Sequence, residues 1–306
     1  MSFLTVVNQI AVFFILIAVG IFSRRLNLIG KTFTKQLSNL VLYVTLPAMV
    51  IVSMNFEFSD DLLANAIVIF ALGPLMYGVL FLVAWIFSKT IKGTDKEKAI
   101  FKFMIIFGNV GYIGYPVASI VFGKPGVFYA AILNIWVQAL MWTLGIALVS
   151  GAKNKFNLKK IFINPGIISI AIGFSLFLFS IKLPSFLQES LELLGNSTTP
   201  LAMIIIGATI GEAKLSDTFK DARLIIYSVV KLAIVPFIMY LLLLPFDLSP
   251  LVKGVPIVLS AMPAAANVTV FAMKHDSDYI LGSRGVVVST ILSLISIPVL
   301  ISLLNI

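Results

Sequence analysis

Cysteine is absent from this sequence of 306 residues, and charged residues make up only 11% of it. Without cysteine, the chain has no disulfide, no thiol nucleophile and no thiolate ligand for a metal. A soluble domain carries about 25% charged residues, so much of this surface must face lipid. The hydrophobic share of 60% and the mean hydropathy of +1.09 agree with that requirement. The composition predicts an integral membrane protein.

Catalytic and metal-binding patterns are also scarce. The one histidine, His275, lies in a polar turn beside Asp276 and Asp278, with no regular metal-ligand spacing. The acidic residues fall in loops or at the ends of apolar segments, and no Gly-x-x-x-x-Gly-Lys-Ser/Thr loop occurs. An intramembrane protease and a nucleotide-driven pump are therefore disfavoured. We expect a protein that is not an enzyme and that needs no cofactor or metal.

Apolar segments long enough to cross a bilayer recur along the whole chain. A spanning helix needs about 20 mostly apolar residues, and the sequence offers ten such segments. They are 3–23, 36–54, 62–88, 99–123, 126–150, 163–183, 197–213, 223–246, 252–273 and 285–305. The fold class predicted is all-α integral membrane, with ten transmembrane helices.

Lysine and arginine are distributed unevenly between the two ends of these segments. Of the 22 basic residues, eighteen lie at the ends opposite the termini and three lie on the side of the termini, while Lys231 lies within a span. Loops rich in Lys and Arg stay in the cytoplasm. Both termini should therefore face outward from a bacterial cytoplasmic membrane. The net charge of +9 is explained by this asymmetry, and we expect no nucleic-acid partner.

The two halves of the chain share a pattern of helix-breaking and polar residues. Pro47 and Pro200 each stand in a Leu, Ala and Met context, and Pro74 and Pro236 occupy the third and eighth spans. This recurrence predicts five-helix repeats over 1–151 and 152–306. Because five is odd, the second repeat is inverted in the membrane, as in many secondary transporters. The alternative is coincidence, since Pro and Gly are common in membrane helices.

The fourth and ninth spans contain the segments that point most directly to a site. The fourth reads Gly-Asn-Val-Gly-Tyr-Ile-Gly-Tyr-Pro over 108–116, and the ninth reads Ala-Met-Pro-Ala-Ala-Ala-Asn-Val over 261–268. Proline and glycine interrupt a helix, and interrupted helices at matching positions mark a midplane binding site. Free N–H groups and neutral amides there suit a carboxylate. The candidate binding residues are Asn109, Gly111, Tyr112, Tyr115, Pro116, Pro263 and Asn267. The alternative is that these residues serve helix packing only.

Three further polar residues lie within predicted spans. Asn134 and Gln138 are one helical turn apart on one face of the fifth span. Lys231 is a charge inside the eighth span, which makes it a candidate for pairing with an anionic substrate. Interhelix hydrogen bonding for the amides, and snorkelling toward the cytoplasm for Lys231, are the alternatives.

Segments 108–116 and 261–268, together with Leu46-Pro47-Ala48, resemble the auxin efflux carrier family. The resemblance covers essentially the whole chain. It implies two inverted five-helix repeats whose broken helices 4 and 9 cross, arranged as a scaffold domain and a transport domain, and it allows a homodimer. The family includes plant auxin carriers and bacterial permeases assigned to malate or malonate. The long cytoplasmic loop of the plant members is reduced here to about 151–160.

These observations favour a secondary transporter in the lipid bilayer that moves a small organic anion, a carboxylate in particular, by alternating access. The substrate would bind where helices 4 and 9 cross. A membrane-embedded ligand sensor or an anion channel on the same fold is the alternative. Sequence alone leaves open the identity of the anion, the direction of transport, the coupling ion and the oligomeric state.

Overall fold

Helices account for nearly all of the chain that the computed structural model describes, namely residues 3–151, 163–213 and 218–303. In chain order the α-helices are α1 (Phe3–Arg25), α2 (Lys31–Leu40), α3 (Leu46–Ser53), α4 (Asp60–Thr90), α5 (Asp95–Ile106), α6 (Tyr115–Leu140), α7 (Ile146–Ser150), α8 (Pro165–Leu178), α9 (Ser185–Glu212), α10 (Ala222–Val229), α11 (Val235–Leu243), α12 (Pro250–Ser260), α13 (Asn267–Lys274) and α14 (Tyr279–Leu303).

Six helical stretches among the described residues are long and apolar enough to cross a membrane. They are Lys31–Ser53, Asp60–Thr90, Val110–Ser150, Ser185–Glu212, Ala222–Leu243 and Tyr279–Leu303. Helices α8 and α12 are apolar but shorter. The described residues thus form helices with short connections, as expected of a multi-pass membrane protein, and the count of ten spans stays a prediction.

Four π-helical turns interrupt these stretches, at Val41–Thr45, Val110–Gly114, Met141–Gly145 and Val230–Ile234. In three of them a proline stands two residues after the turn, namely Pro47, Pro116 and Pro236. Proline lacks an N–H and its ring collides with the carbonyl four residues earlier. A wider π turn relieves that collision, so each proline shifts the helix without ending it.

Glycine interrupts the stretch Val110–Ser150 at one point. Gly123 has φ of +67° and ψ of −157°, and Pro125 follows two residues later. A side chain is disfavoured at positive φ, whereas glycine adopts it without a steric cost. The kink falls at the last residue of the predicted span 99–123, just before the predicted span 126–150.

The described chain divides into two compact units. The first contains Met1–Phe70, Gly111–Ile132 and Phe162–Glu212. Within it, α1 packs along α9, and α3 packs against both α8 and α9. The aromatic rings of Phe128, Phe174 and Phe177 cluster in its interior.

The second unit contains Ala71–Val110, Leu133–Ile161 and Ala213–Ile306. Within it, α14 contacts α5, α10 and α13, and α13 also contacts α5 and α7. Its core includes the buried rings of Phe101 and Phe103 on α5 and of Phe107 just after that helix.

Each compact unit draws segments from both halves of the sequence. The predicted repeat boundary at 151/152 adjoins residues 152–162, which lie outside the described residues, so the repeats stay a prediction. The same holds for the basic residues Lys153, Lys155, Lys159, Lys160 and Lys214, on which part of the charge asymmetry depends.

Candidate functional site

Both motif segments interrupt helices in the second unit. Helix α5 ends at Ile106, and Phe107 has extended backbone angles of φ −106° and ψ 105°. Helix α12 ends at Ser260, and α13 begins at Asn267. The non-helical residues are 107–109 in the first segment and 261–266 in the second.

The two interruptions pair with each other through their backbones. The N–H of Asn109 donates to the carbonyl of Pro263 at 2.7 Å, and the N–H of Ala265 donates to the carbonyl of Phe107 at 2.9 Å. Gly108 and Ala264 form an antiparallel bridge between these two bonds. Backbone groups at membrane depth must be satisfied within the protein. A short two-stranded contact does so here, where the α-helical bonds are lost.

This pairing decides which N–H groups an anion can reach. Those of Asn109 and Ala265 are bonded as above, and that of Ala264 donates to Ser289 Oγ at 3.2 Å. Among the described residues, the N–H groups of Ala266 and Asn267 have no partner, and both residues are exposed. These two groups open α13, where the helix dipole is positive.

Asn267 adds a side-chain donor at the same point. Its Nδ2 donates to the Sδ of Met141 at 3.0 Å. A thioether sulfur is a weak acceptor, whereas a carboxylate oxygen is a strong one. An arriving carboxylate could therefore replace Met141 as the partner of this amide at little cost.

Asn109 and Pro263 are buried, whereas Asn267 is exposed. Asn109 is 8% exposed and Pro263 is buried. A Cβ built on Gly108 would lie 3.0 Å from the Cβ of Met262, so the two interrupted segments are already in close contact. These residues are placed to hold the shape of the paired interruptions.

Asn134 and Gln138 also belong to the second unit, on the last two turns of α6. Asn134 is 3% exposed and Gln138 is half-buried. Their spacing of four residues puts them on one helix face, as the sequence predicted.

The remaining motif residues, Gly111, Tyr112, Tyr115 and Pro116, belong to the first unit. The hydroxyl of Tyr112 donates to the carbonyl of Ser38 at 3.1 Å, while Tyr115 is fully buried. Pro116 is the second residue of α6, which follows the π turn Val110–Gly114. The division between the units thus runs through the first motif, between Val110 and Gly111.

Lys231 lies in the π turn Val230–Ile234 of the second unit. Its side chain is 1% exposed, and its Nζ donates to the carbonyl of Ile105 at 2.8 Å. The side chain therefore does not snorkel to the surface. It points to the end of the interrupted helix α5.

An ion-pair network holds the opposite end of α5. Arg223 Nη2 lies 2.8 Å from Glu97 Oε1 and 2.8 Å from Asp221 Oδ2. The backbone N–H of Thr94 and then the Arg223 guanidinium hold the pKa of Glu97 below its ordinary value. The Arg223 side chain likewise lowers the pKa of Asp221. Both carboxylates are thus stabilised as anions at the start of the helix.

Several participants were not found by sequence reasoning. Ser289 and Met141 contact the second motif, and Tyr227 contacts α5, but nothing in their local sequence marks them. Threonines that precede Pro47 and Pro200 are path-lining candidates from the sequence, with local bonding to a helix carbonyl as the alternative. In the structure the hydroxyls of Thr45 and Thr198 are buried and lack a partner among the described residues. Their position beside Pro47 and Pro200 was the available signal.

Comparison with known proteins assigns the chain to a family. The model of the family "Membrane transport protein" matches residues 5–301. An "Uncharacterized transporter" of Methanocaldococcus jannaschii is 28% identical, covering 95% of this chain and 96% of the relative. An "Uncharacterized transporter" of Methanothermobacter thermautotrophicus is 25% identical over 93% of each chain. A "Putative malonate transporter" of Rhizobium meliloti is 23% identical, covering 88% of this chain and 86% of the relative.

A family match over nearly the whole chain agrees with the membrane helices and with the motif segments described above. The chain therefore belongs to the membrane transport protein family, the family of the auxin efflux carriers that its two motifs resemble.

Proposed function

We propose that this protein is a secondary transporter that carries a small organic anion, a carboxylate, across the cytoplasmic membrane by alternating access. Its ten transmembrane helices would form two inverted five-helix repeats, with both termini outside. The two compact units correspond in this proposal to a scaffold domain and a transport domain. Membership of a transport family and the paired interruptions support it.

One observation carries the choice of an anion. Among the described residues, the N–H groups of the exposed residues Ala266 and Asn267 have no partner at the start of α13, and the side-chain amide of Asn267 donates only to the thioether of Met141. N–H groups and the positive end of a helix dipole together make an anion site.

The other second-unit candidates have supporting parts in this proposal. Asn109 and Pro263 hold the crossing of the two broken helices. Asn134 and Gln138 lie on one face of α6 and would line the path of the substrate. Gly111, Tyr112, Tyr115 and Pro116 continue the first motif in the other unit, and their role as binding residues stays a prediction.

Malonate is the first substrate to test, because one relative is named for it. The purified protein would be melted with malonate, malate and indole-3-acetate, then reconstituted in liposomes to measure uptake of radiolabelled malonate. A ligand that binds the folded state raises the melting temperature. Saturable uptake with a matching rise in melting temperature would support the proposal.

Asn267→Ala tests the site within the same assay. A hydrogen bond to a charged group contributes about 1.5–3 kcal/mol, which corresponds to a loss of affinity of about tenfold to a hundredfold. Asn8→Ala is the matched control, since Asn8 is an exposed asparagine of α1. Equal affinity for malonate in Asn267→Ala, Asn8→Ala and the parent protein would show that Asn267 is not part of the binding site.

The alternatives give different results. A ligand sensor would bind malonate without uptake. An anion channel would give flux that does not saturate with concentration. If only neutral or cationic compounds raised the melting temperature, the membrane fold would stand and the proposal of an anion carrier would be rejected.

A further inference from the structure

The last carbonyls of an α-helix have no partner within the helix, and those of α5 lie inside the second unit. The carbonyl of Phe103 accepts from the N–H of Phe107 at 2.9 Å. The next two have side-chain partners. Met104 accepts from the hydroxyl of Tyr227 at 3.4 Å, and Ile105 accepts from Nζ of Lys231 at 2.8 Å.

Tyr227 and Lys231 are placed as a pair. They are four residues apart, so they lie on the same side of their helix and reach consecutive carbonyls. Both are almost fully buried. The π turn that holds Lys231 precedes Pro236 by the same spacing found at the other two proline-linked turns. One neutral donor and one basic donor thus cap the same helix end.

Lys231 has no carboxylate partner in the part of the chain that the structure describes. The ion pairs of the described residues involve other lysines and arginines, and Lys231 is the one charged residue among the described residues that is buried. Burying an unpaired ammonium is expensive. Part of that cost is offset by the negative end of the α5 dipole and by the hydrogen bond to the Ile105 carbonyl, which hold the Lys231 Nζ in a fixed position.

We propose that Lys231 is a resident cation that occupies the place of a coupling ion. In transporters with broken helices, freed carbonyls at the C-terminal end of a half-helix coordinate Na⁺ or H⁺. Here the ammonium of Lys231 donates a hydrogen bond to one such carbonyl, that of Ile105. Transport of the anion, on which this inference rests, then requires no bound sodium. Lys231 acts as a positioning residue at the interrupted helix and does not contact the substrate.

The first test is independent of any substrate. Lys231→Ala leaves a space that fits propylammonium, which has the carbons and the ammonium that the substitution removes. We expect a lower melting temperature for this variant and a rise of several degrees with propylammonium. Tetramethylammonium, which has the charge but no N–H donor, should give no rise. The parent protein should melt at the same temperature in sodium chloride and in N-methyl-D-glucamine chloride.

Tyr227→Phe is the matched control, because it removes the neutral donor from the adjacent carbonyl. It should melt lower than the parent and gain nothing from propylammonium. Stabilisation of the parent protein by sodium, or a Lys231→Ala variant that melts like the parent or gains nothing from propylammonium, would overturn the inference.

Measurements of malonate uptake distinguish a role of Lys231 as a positioned cation from a role in packing alone. We expect equal initial rates in sodium and in N-methyl-D-glucamine for the parent protein and for Tyr227→Phe. Uptake by Lys231→Ala should become several-fold dependent on added sodium or propylammonium. Sodium-dependent uptake by the parent protein would contradict the inference. Absence of malonate uptake by the parent would instead reject the proposed substrate, while the melting experiments would still decide the role of Lys231.

Discussion

Ser289 shows how a single hydroxyl supports the second motif. Its Oγ accepts from the N–H of Ala264 at 3.2 Å and donates to the carbonyl of Gly285 at 2.7 Å. Ala264 lies between Pro263 and Ala265, both of which are paired with the first motif. The serine therefore supplies a partner for the N–H of Ala264, which makes no backbone bond to the facing segment.

Replacing Ser289 by Ala should destabilise the protein. The N–H of Ala264 would lose the Ser289 hydroxyl and keep only the Tyr227 hydroxyl as a nearby acceptor among the described residues, and a lost hydrogen bond costs about 0.5–1.5 kcal/mol. Thermal unfolding in detergent should show a melting temperature lower by several degrees. Ser293→Ala is the control on the same helix, because the hydroxyl of Ser293 is equally buried but bonds only to the carbonyl of Thr290. Equal melting of the two variants would show that the bond to Ala264 contributes nothing.

Residue types were easier to predict than residue partners. The sequence singled out Asn267 and Lys231 as polar groups in apolar segments, and both have specific contacts in the structure. Their partners, Met141 and Ile105, each lie 126 residues away along the chain. No periodicity within a segment encodes a contact over that distance. The interpretation of Lys231 as snorkelling failed for this reason, since the carbonyl that holds it is created by a break in another helix.

At the scale of elements, proline positions were informative about helix geometry. Pro47, Pro116 and Pro236 each follow a π turn by two residues. The sequence identified these prolines as sites of lost hydrogen bonds, which is a local steric fact. The place of the actual interruption was less predictable. It falls at 107–109 and not at Pro116, because pairing with residues 263–265 stabilises extended backbone there.

Gly108 lies where the two interrupted segments come closest. A Cβ there would be 3.0 Å from the Cβ and 3.2 Å from the carbonyl oxygen of Met262. We expect Gly108→Val to push the segments apart and to weaken the bonds of Asn109 and Ala265. The melting temperature and malonate uptake should both fall, since overpacking costs about 1–3 kcal/mol.

Gly78→Ala is the comparison for that variant. Gly78 lies within α4, and nothing stands within 4 Å of a Cβ at that position. Alanine favours a helix over glycine by about 0.5–1 kcal/mol, so this change should leave uptake intact and melting equal or higher. Normal uptake in Gly108→Val would mean that close approach of the segments is not required.

At the scale of the whole molecule, the absence of cysteine makes the proposed topology directly testable. Single cysteines can be placed at Lys92 and Asp247, which are exposed and lie in loops assigned to opposite sides. The asymmetry of basic residues puts Lys92 in the cytoplasm and Asp247 outside. In intact cells, a membrane-impermeant maleimide should label Asp247→Cys and should label Lys92→Cys only after permeabilisation.

The cysteine-free parent protein is the background control for that labelling. Both positions labelled from the same side would change the parity of the spans between them. The reverse pattern would invert the protein in the membrane. Either result would require a topology other than ten helices with both termini outside.

The sequence by itself determined the class of this protein. Its low charge, long apolar segments and two motif segments predicted an all-helical membrane protein of the auxin efflux carrier family, and the family assignment is confirmed. Composition and short contiguous patterns indicate these properties, and both are evident without knowledge of the fold.

Only the tertiary structure decided which polar groups are in use and which are available. In the fold, the N–H groups of Asn109, Ala264 and Ala265 bond inside the protein, and Lys231 bonds to the end of α5. The N–H groups of the exposed residues Ala266 and Asn267 have no partner in the described part of the chain. The tertiary structure also assembled each compact unit from segments of both halves of the chain. The physical reason is that a hydrogen bond between distant segments depends on where each helix ends and what it packs against, and the folded chain sets both together.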